Sequence, residues 1–154
     1  MKILQWSAIP SRTIVLLNKQ TNNSIPFTIY HQHIRGLRGK VIELLSQLIS
    51  TPPQVLFFSE HHMNQDELQH TVIDSYNLGA SYCRTLYVKG GVCILVQEGL
   101  GCTCCDLAKF CKDKDFEACA CKIYLNSKRL RIITIYRAPS SNFATFLIKL
   151  DNIL

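Results

Sequence analysis

Residues 55–60 read Val-Leu-Phe-Phe-Ser-Glu, an apolar run that ends in a serine and a carboxylate. A short run without polar residues predicts a β-strand that is buried on both faces, as in the middle of a layered sheet. Just before it, residues 40–50 place apolar side chains at helical spacing, which predicts an amphipathic helix that ends before Pro52 and Pro53. A helix followed by a buried strand indicates an α/β domain, and such sheets place their sites where strands end.

The rest of the chain adds mostly strands. Alternating or β-branched segments predict strands at residues 27–33, 76–84, 91–97, 116–125 and 130–136. Helical spacing predicts a final helix over residues 143–154, and residues 65–73 are interpreted as a helical turn. We expect residues 99–114 to form an irregular loop rich in cysteine. The order of elements favours one layered domain over residues 25–154, preceded by a leader or poorly ordered arm at residues 1–24.

Composition is that of a globular domain outside the secretory pathway. The 154 residues are 47% hydrophobic and 18% charged, which is enough apolar material for one core. The longest apolar runs, at residues 55–58 and 92–96, are far shorter than the roughly 18 residues of a membrane helix. Residues 14–17 are too short for the apolar region of a signal peptide. We therefore expect an intracellular protein without a membrane partner.

The eight cysteines are interpreted as reduced thiols. Nothing in the sequence indicates secretion, and several cysteines lie in apolar strand patterns, where a free thiol behaves as a small hydrophobic group. Four of them have the spacing C-x-C-C-x5-C, namely Cys102, Cys104, Cys105 and Cys111. This spacing differs from the paired C-x2-C of zinc sites and no histidine lies nearby, so it disfavours zinc.

Positive charge is concentrated in two segments. The net charge is +6, and no acidic residue occurs between Ala118 and Leu150, a stretch that contains six lysines and arginines. A second segment without acidic residues contains Arg35, Arg38 and Lys40. Such segments favour a polyanionic partner, with a solvated basic face as the alternative.

Four short segments carry a resemblance to a known family. They are His-Gln-His-Ile-Arg-Gly-Leu at 31–37, Leu-Phe-Phe-Ser-Glu-His-His at 56–62, Lys-Gly-Gly-Val-Cys-Ile-Leu-Val at 89–96 and Ile-Tyr-Arg-Ala-Pro-Ser-Ser-Asn at 135–142. In this order and at these distances they resemble the endonuclease/exonuclease/phosphatase superfamily, which includes deoxyribonuclease I. Within it, the chain looks like the N-terminal part of the endonuclease of non-LTR retrotransposons, over about residues 27–154.

The resemblance implies a fold, a reaction and a partner. The fold would be a four-layer α/β/β/α sandwich with its C-terminal portion missing. The reaction would be metal-dependent hydrolysis of a DNA phosphodiester, with Mg²⁺ or Mn²⁺ as the cofactor and the nucleus as the place of action. A hard carboxylate must hold such an ion, and donors must hold the phosphate oxygens.

The resemblance also assigns roles to individual residues. Glu60 matches the metal-binding glutamate, and Tyr136 matches the tyrosine that reaches the scissile phosphate. Asn142 either faces the same cleft or caps the last helix. His33 stands where the family has asparagine, so it is either a tolerated or inactivating change or a ligand for a softer ion. The expected nucleic-acid contacts are Arg35, Arg38, Lys40 and Arg137.

The chain lacks two later parts of the family pattern. It ends before the Asp-x-Asn pair and before the terminal Asp-His pair, which implies that the chain alone is inactive. Three functions remain open: a fragment of a metal-dependent endonuclease, a nucleic-acid-binding remnant without catalysis, and a decayed element fragment with no function. Half a sandwich would also leave one sheet face uncovered, which predicts poor stability or self-association.

Overall fold

A computed structural model describes residues 12–17, 27–48, 50, 52–125 and 128–154 of the chain. The elements fall into two β-sheets and three α-helices. The five-stranded sheet has the order β1-β2-β3-β5-β4, formed by Arg12–Leu17, Phe27–His33, Val55–Ser59, Val92–Gln97 and Tyr76–Tyr82 respectively. The three-stranded sheet has the order β6-β7-β8, formed by Gly101–Cys105, Glu117–Leu125 and Lys128–Tyr136.

The helices connect or cover these strands. They are α1 at Val41–Leu48, α2 at Gln65–Gln69 and α3 at Phe143–Ile153. Strands β2 and β3 are parallel and α1 lies between them in the chain, so both strands end at the same edge of the sheet, with His33 beside Ser59. The other strand pairs of both sheets are antiparallel. None of the helices in the described ranges has the length and apolar character needed to span a membrane.

Three apolar clusters hold the layers together. The first lies between α1, α2 and the outer face of the five-stranded sheet, and it includes Leu44, Phe58 and Leu68. The second joins the inner faces of the two sheets, and its fully buried members include Val55, Val92, Ile94, Cys121 and Ile123. The third packs Phe116, Ala118 and Ala120 of the smaller sheet against α3. The layers are therefore helix, sheet, sheet and helix, as expected from the sequence.

Most predicted elements are confirmed, and the loop predicted over residues 99–114 is wrong. That segment contains strand β6 and a short 3₁₀ helix at Ala108–Phe110. Strand β6 lies at an edge and pairs with β7, and Gly101, Thr103 and Cys104 are exposed. An edge strand that buries little has no alternating apolar pattern, so its strand conformation depends on pairing with a distant segment.

Part of the expected leader belongs to the sheet. Residues 12–17 form β1 and pair with β2, although the sequence prediction assigned them to the arm at residues 1–24. The remaining residues of that range lie outside the described residues. The weak periodicity of the segment hid the strand because β1 is an edge strand.

The expectation of an uncovered sheet face is also corrected for the described residues. The five-stranded sheet has an apolar cluster on each face, and so does the three-stranded sheet. The short helix α3 covers the outer face of the small sheet with Phe146 and Leu150. Apolar surface instead remains on the other side of α3, where Phe143, Leu147 and Ile148 are exposed.

Candidate functional site

Glu60 lies directly after β3, where three elements bring polar side chains together. The hydroxyl of Tyr136, at the end of β8, donates a 2.5 Å hydrogen bond to Glu60 Oε1. His33, at the end of β2, places its Nε2 3.1 Å from Glu60 Oε2, and His62 Nε2 lies 3.7 Å from the same oxygen. The rings of His33 and Tyr136 stack with centroids 5.8 Å apart. The predicted residues Glu60, Tyr136 and His33 therefore form one cluster, which draws on both sheets.

The backbone around this cluster is strained. Arg35, Glu60 and His62 adopt left-handed conformations with φ of 49°, 57° and 59°. Such a conformation costs a residue other than glycine about 1 kcal/mol or more. Hydrogen bonds between the two loops, from Gly36 N to Glu60 O at 2.8 Å and from Leu37 N to His61 O at 3.0 Å, hold it in place. With this backbone conformation the carboxylate of Glu60 faces Tyr136 at the end of β8.

A glycine turn before β5 supports the strained loop from the other side. Glu60 N donates to Gly91 O at 2.8 Å, and His62 N donates to Gly90 O at 2.9 Å. Gly91 has φ of +84°, and a Cβ at this position would lie 2.3 Å from His61 Nε2. Only glycine fits here without displacing its neighbours. The Gly-Gly pair in the sequence is therefore part of the support of the site.

A buried ion pair holds this turn, and the sequence analysis missed it. The carboxylate of Glu117, which is fully buried, accepts hydrogen bonds from Gly91 N at 2.7 Å and from Arg84 Nε at 2.6 Å. Arg84 Nη2 lies 2.5 Å from the same carboxylate, and Lys114 N donates to it at 3.1 Å. The signal in the sequence was an acidic residue at the start of the apolar strand β7. Its partner Arg84 lies 33 residues away and no local pattern identifies it.

His61 is a structural residue and does not point at Glu60. Its side chain is fully buried, its Nε2 lies 3.1 Å from Tyr82 O, and its Nδ1 accepts from Met63 N at 3.1 Å. Burial, opposed by the hydrogen bond to Tyr82, lowers the pKa of His61 to about 4. A neutral ring that donates from Nε2 and accepts at Nδ1 satisfies both bonds. His61 and His62 thus separate: one lies in the core and the other faces the carboxylate.

The electrostatics of the cluster keep Glu60 ionised. Burial alone would raise the pKa of Glu60, but the hydrogen bond from Tyr136 and the charges of His33, His62 and Arg35 outweigh it and lower that pKa. Burial and the bond to Glu60 raise the pKa of Tyr136 above its ordinary value. The site therefore presents a carboxylate acceptor and a phenol that keeps its proton at neutral pH.

The remaining predicted residues have partners outside this cluster. Arg38 Nη2 pairs with Glu67 at 2.6 Å, and Lys40 Nζ donates to the carbonyl oxygen of Ile34. Arg137 donates to Ser141 O at 3.1 Å and lies over the Phe143 ring. Asn142 accepts from Thr145 N at 3.0 Å and caps α3, so the capping alternative is correct for Asn142. These contacts reflect local loop and helix geometry, which charge counting does not report.

A cleft of about 500 Å³ opens beside His62. Arg35, Arg38 and Lys40 line it, together with Val88 from the loop between β4 and β5. Val88 and Leu86 on that loop are 88% and 80% exposed. The cleft therefore has a basic wall and an apolar rim next to the carboxylate cluster.

The four closely spaced cysteines do not converge. Strand alternation directs Cys102 to the cluster between the sheets, whereas Cys105 and Cys111 pack in the cluster beneath α3. Cys104 is exposed, and all eight cysteines of the chain are free thiols. In the described part of the chain, no set of three or more His, Cys, Asp or Glu side chains is arranged to enclose an ion.

Glu60 nevertheless fits the requirements of a hard divalent cation. Mg²⁺ keeps several water molecules and takes one or two carboxylate ligands besides the phosphate of its substrate. Glu60 Oε1 is bound by Tyr136, so Oε2 is the oxygen that faces the two histidines. The side chain of Glu60 is 22% exposed, so the carboxylate is partly accessible to solvent. A single accessible carboxylate oxygen is a minimal but suitable ligand for such an ion.

Comparisons with known proteins identify the fold. No family model matches the chain, and no curated protein matches it significantly. Among solved structures, it is similar to the crystal structure of an AP endonuclease from Leishmania major, with a TM-score of 0.55 and 20% sequence identity. The match covers 78% of this chain and 43% of that endonuclease, so the chain spans less than half of its length. The two packed sheets with helices on their outer faces therefore form part of a DNase I-like α/β/β/α fold.

Proposed function

We propose that this chain carries the metal-binding and phosphate-binding half of a DNA endonuclease of the retrotransposon type, which hydrolyses phosphodiesters with Mg²⁺ or Mn²⁺. The observation that supports it best is the contact between Glu60 and Tyr136. A carboxylate at the end of β3 and a phenol at the end of β8, from different sheets, lie 2.5 Å apart. The similar solved structure is an AP endonuclease. The contact between the two sheets lies at the residues whose motifs resemble the retrotransposon enzymes.

Each residue of the cluster has a defined part in this proposal. Glu60 would hold a divalent cation through Oε2, and Tyr136 would donate its hydroxyl hydrogen to a phosphate oxygen. When bound, the cation supplies charge neutralisation for the developing negative charge on the phosphate. Binding of substrate then replaces the hydrogen bond between Tyr136 and Glu60 with one between Tyr136 and the phosphate.

DNA is the proposed substrate because of the cleft beside His62. Arg35, Arg38 and Lys40 line its wall, and their positive charge favours a polyanionic backbone. Arg38 is already paired with Glu67, an exposed ion pair that phosphate can displace at low cost. The resemblance to retrotransposon endonucleases leads us to propose the nucleus as the place of action. The sequence resemblance also leads us to propose that the chain by itself binds DNA but does not turn it over.

The test is a pair of assays on the same protein. In the first, supercoiled plasmid is incubated with the chain and Mg²⁺ or Mn²⁺. In the second, the binding of a fluorescent duplex is measured with and without the ion. We expect metal-enhanced binding that Glu60→Gln reduces at least tenfold, and nicking that stays at background. Glu98→Gln, which removes an exposed carboxylate far along the sheet at the end of β5, is the matched control.

Two results would contradict the proposal. One is binding of equal strength with the ion and with a chelator, since Glu60 would then hold no cation that contacts phosphate. The other is plasmid nicking that survives Glu60→Gln, since the reaction would then take place elsewhere. The absence of binding under any condition supports the third possibility, a fragment without function.

Nucleic-acid binding without a metal is the second candidate function. It is favoured by the outer surface of the smaller sheet, where Lys122 lies opposite Arg131 and both are exposed. Binding through these residues would weaken steeply with salt and show little sequence preference. Lys122→Gln combined with Arg131→Gln should reduce the salt dependence, whereas Glu60→Gln should leave it unchanged. Loss of binding in Glu60→Gln alone would exclude this candidate.

Self-association is proposed through α3 and the neighbouring edge strand β8. Phe143, Leu147 and Ile148 form an exposed apolar side of α3, with exposed fractions of 60%, 45% and 64%. Strand β8 is at the edge of its sheet, so its outer backbone groups have no strand partner among the described residues. We expect a dimer in gel filtration and a monomer after Ile148→Ser combined with Phe143→Ser. A monomeric wild-type protein would contradict this expectation.

A further inference from the structure

Two contacts hold the ring of His33, and together they fix where its Nε2 points. His33 and Ser59 are register partners on the parallel strands β2 and β3, and His33 Nδ1 lies 3.0 Å from Ser59 Oγ. The ring of Tyr136 stacks on the imidazole at an interplanar angle of 24°. These contacts leave the third side, Nε2, facing Glu60 Oε2 at 3.1 Å.

This separation fits two ligands on one ion. Atoms about 2.1 Å from a common cation and 3.1 Å apart subtend an angle of about 95° at it, close to that between neighbouring ligands in an octahedron. If Nδ1–H donates to Ser59 Oγ, the lone pair of His33 Nε2 points toward Glu60 Oε2. Metal-binding histidines usually have this kind of hydrogen bond on the second nitrogen, which orients the ring and sets its tautomer.

We propose that His33 and Glu60 together form a nitrogen–oxygen cation site that selects transition-metal ions such as Co²⁺ over Mg²⁺, with Mn²⁺ between them. This inference rests on the proposed function and names its cofactor more closely. Imidazole is a poor ligand for Mg²⁺, a weak one for Mn²⁺ and a good one for later first-row ions such as Co²⁺, whereas the carboxylate serves all three. The remaining positions of the ion are filled by water and by the phosphate of the substrate.

The alternative is that His33 only donates a hydrogen bond to Glu60. In that arrangement the Nε2–H occupies Oε2 and competes with a cation for it. Removing the imidazole would then strengthen the binding of every divalent ion. The two arrangements therefore predict opposite effects of removing the imidazole. If His33 is a ligand, the binding of Co²⁺ weakens, and if His33 only donates to Glu60, the binding of Co²⁺ strengthens.

The experiment measures binding rather than activity. Calorimetric titration of the chain with Mg²⁺, Mn²⁺ and Co²⁺ is repeated for His33→Asn, Glu60→Gln and the control His70→Asn. His70 is a suitable control because it caps the C-terminal end of α2, its side chain is 77% exposed and it lies outside the cluster. The visible absorption of bound Co²⁺ and a paramagnetically shifted imidazole N–H signal report ligation by nitrogen directly. Circular dichroism verifies that each variant is folded. If His33→Asn does not fold, His33→Gln takes its place in the titrations.

We expect His33→Asn to weaken Co²⁺ binding at least tenfold, to weaken Mn²⁺ binding by a smaller factor, to change Mg²⁺ binding less than threefold and to abolish the shifted imidazole signal. Unchanged or stronger Co²⁺ binding in His33→Asn overturns the inference. If His33→Asn leaves Co²⁺ binding unchanged but Glu60→Gln abolishes the binding of all three ions, Glu60 is a metal ligand without His33. The proposed function then stands and the inference about His33 fails. If Glu60→Gln leaves the binding of every ion unchanged, both the site and the inference fail.

Discussion

The buried carboxylate of Glu117 provides the sharpest test of how the candidate site is held. Glu117 is fully buried and Arg84 is 8% exposed, so their ion pair has almost no access to water. The substitution Glu117→Gln keeps the shape of the side chain but removes the charge. It also turns an amide NH₂ toward groups that are themselves donors: Gly91 N, Arg84 and Lys114 N.

The expected cost follows from the surroundings. Breaking a buried ion pair by changing one partner costs about 3–5 kcal/mol, because the other charge stays buried without compensation. The retained carbonyl of glutamine still accepts part of these bonds, so we expect about 3 kcal/mol. For a domain of this size, that loss lowers the Tm by roughly 6–12 °C. The Gly90–Gly91 turn should loosen as well, because one carbonyl oxygen must replace the two carboxylate oxygens that serve Gly91 N, Arg84 and Lys114 N.

Thermal unfolding followed by circular dichroism measures this effect. The matched control is Arg38→Gln, which breaks the ion pair with Glu67 on the surface, where Arg38 is 72% exposed. Water already screens that pair, so the Tm of the control should equal that of the wild type. A Tm of Glu117→Gln within 2 °C of the wild type would refute the reasoning, because the carboxylate would then contribute no more than a surface charge.

Three further predictions concern the support of the site, its titration and its hydrogen bond. Gly91→Ala should lower the free energy of unfolding, measured with a chemical denaturant, by about 3 kcal/mol, because its Cβ would lie 2.3 Å from His61 Nε2. The control Gly99→Ala has a similar φ of +87° but nothing within 4 Å of its Cβ, so it should lose far less stability. Equal losses in the two variants would contradict this reason. The pKa of His61 is lowered from 6.5 to about 4, so the unfolded chain binds a proton in that window that the folded chain does not. The free energy of unfolding should therefore reach its highest value above pH 6.5 and fall by about 3 kcal/mol as the pH drops to 4. Denaturant unfolding at several pH values in this range should show that the stability of His61→Gln changes less with pH than that of the wild type. The same pH dependence in both proteins would contradict this role of His61. Tyr136→Phe removes the hydrogen bond that helps lower the pKa of Glu60. Titration calorimetry should thus show a larger loss of Mn²⁺ affinity at pH 5 than at pH 7, and a pH-independent loss would refute this role.

Local sequence patterns determined most of the strands and the first candidate residues. Strands β2 and β3 begin and end at the predicted residues, because apolar alternation and a continuous apolar run report directly which faces are buried. Glu60, directly after β3, and Tyr136, the last residue of β8, were predicted from the resemblance of their segments to the endonuclease/exonuclease/phosphatase superfamily. Strand β6 was missed because an edge strand with exposed side chains carries no burial pattern.

Only the tertiary structure decided which of these residues meet. Glu60 and Tyr136 are 76 residues apart and come together because two sheets pack with one particular register. The same packing joins Arg84 to Glu117 beneath the glycine turn. Tertiary structure also pairs Arg38 with Glu67, 29 residues away in the sequence. Periodicity describes the environment of each residue along its own element, whereas contacts between elements depend on pairing, register and loop strain, which no local pattern contains.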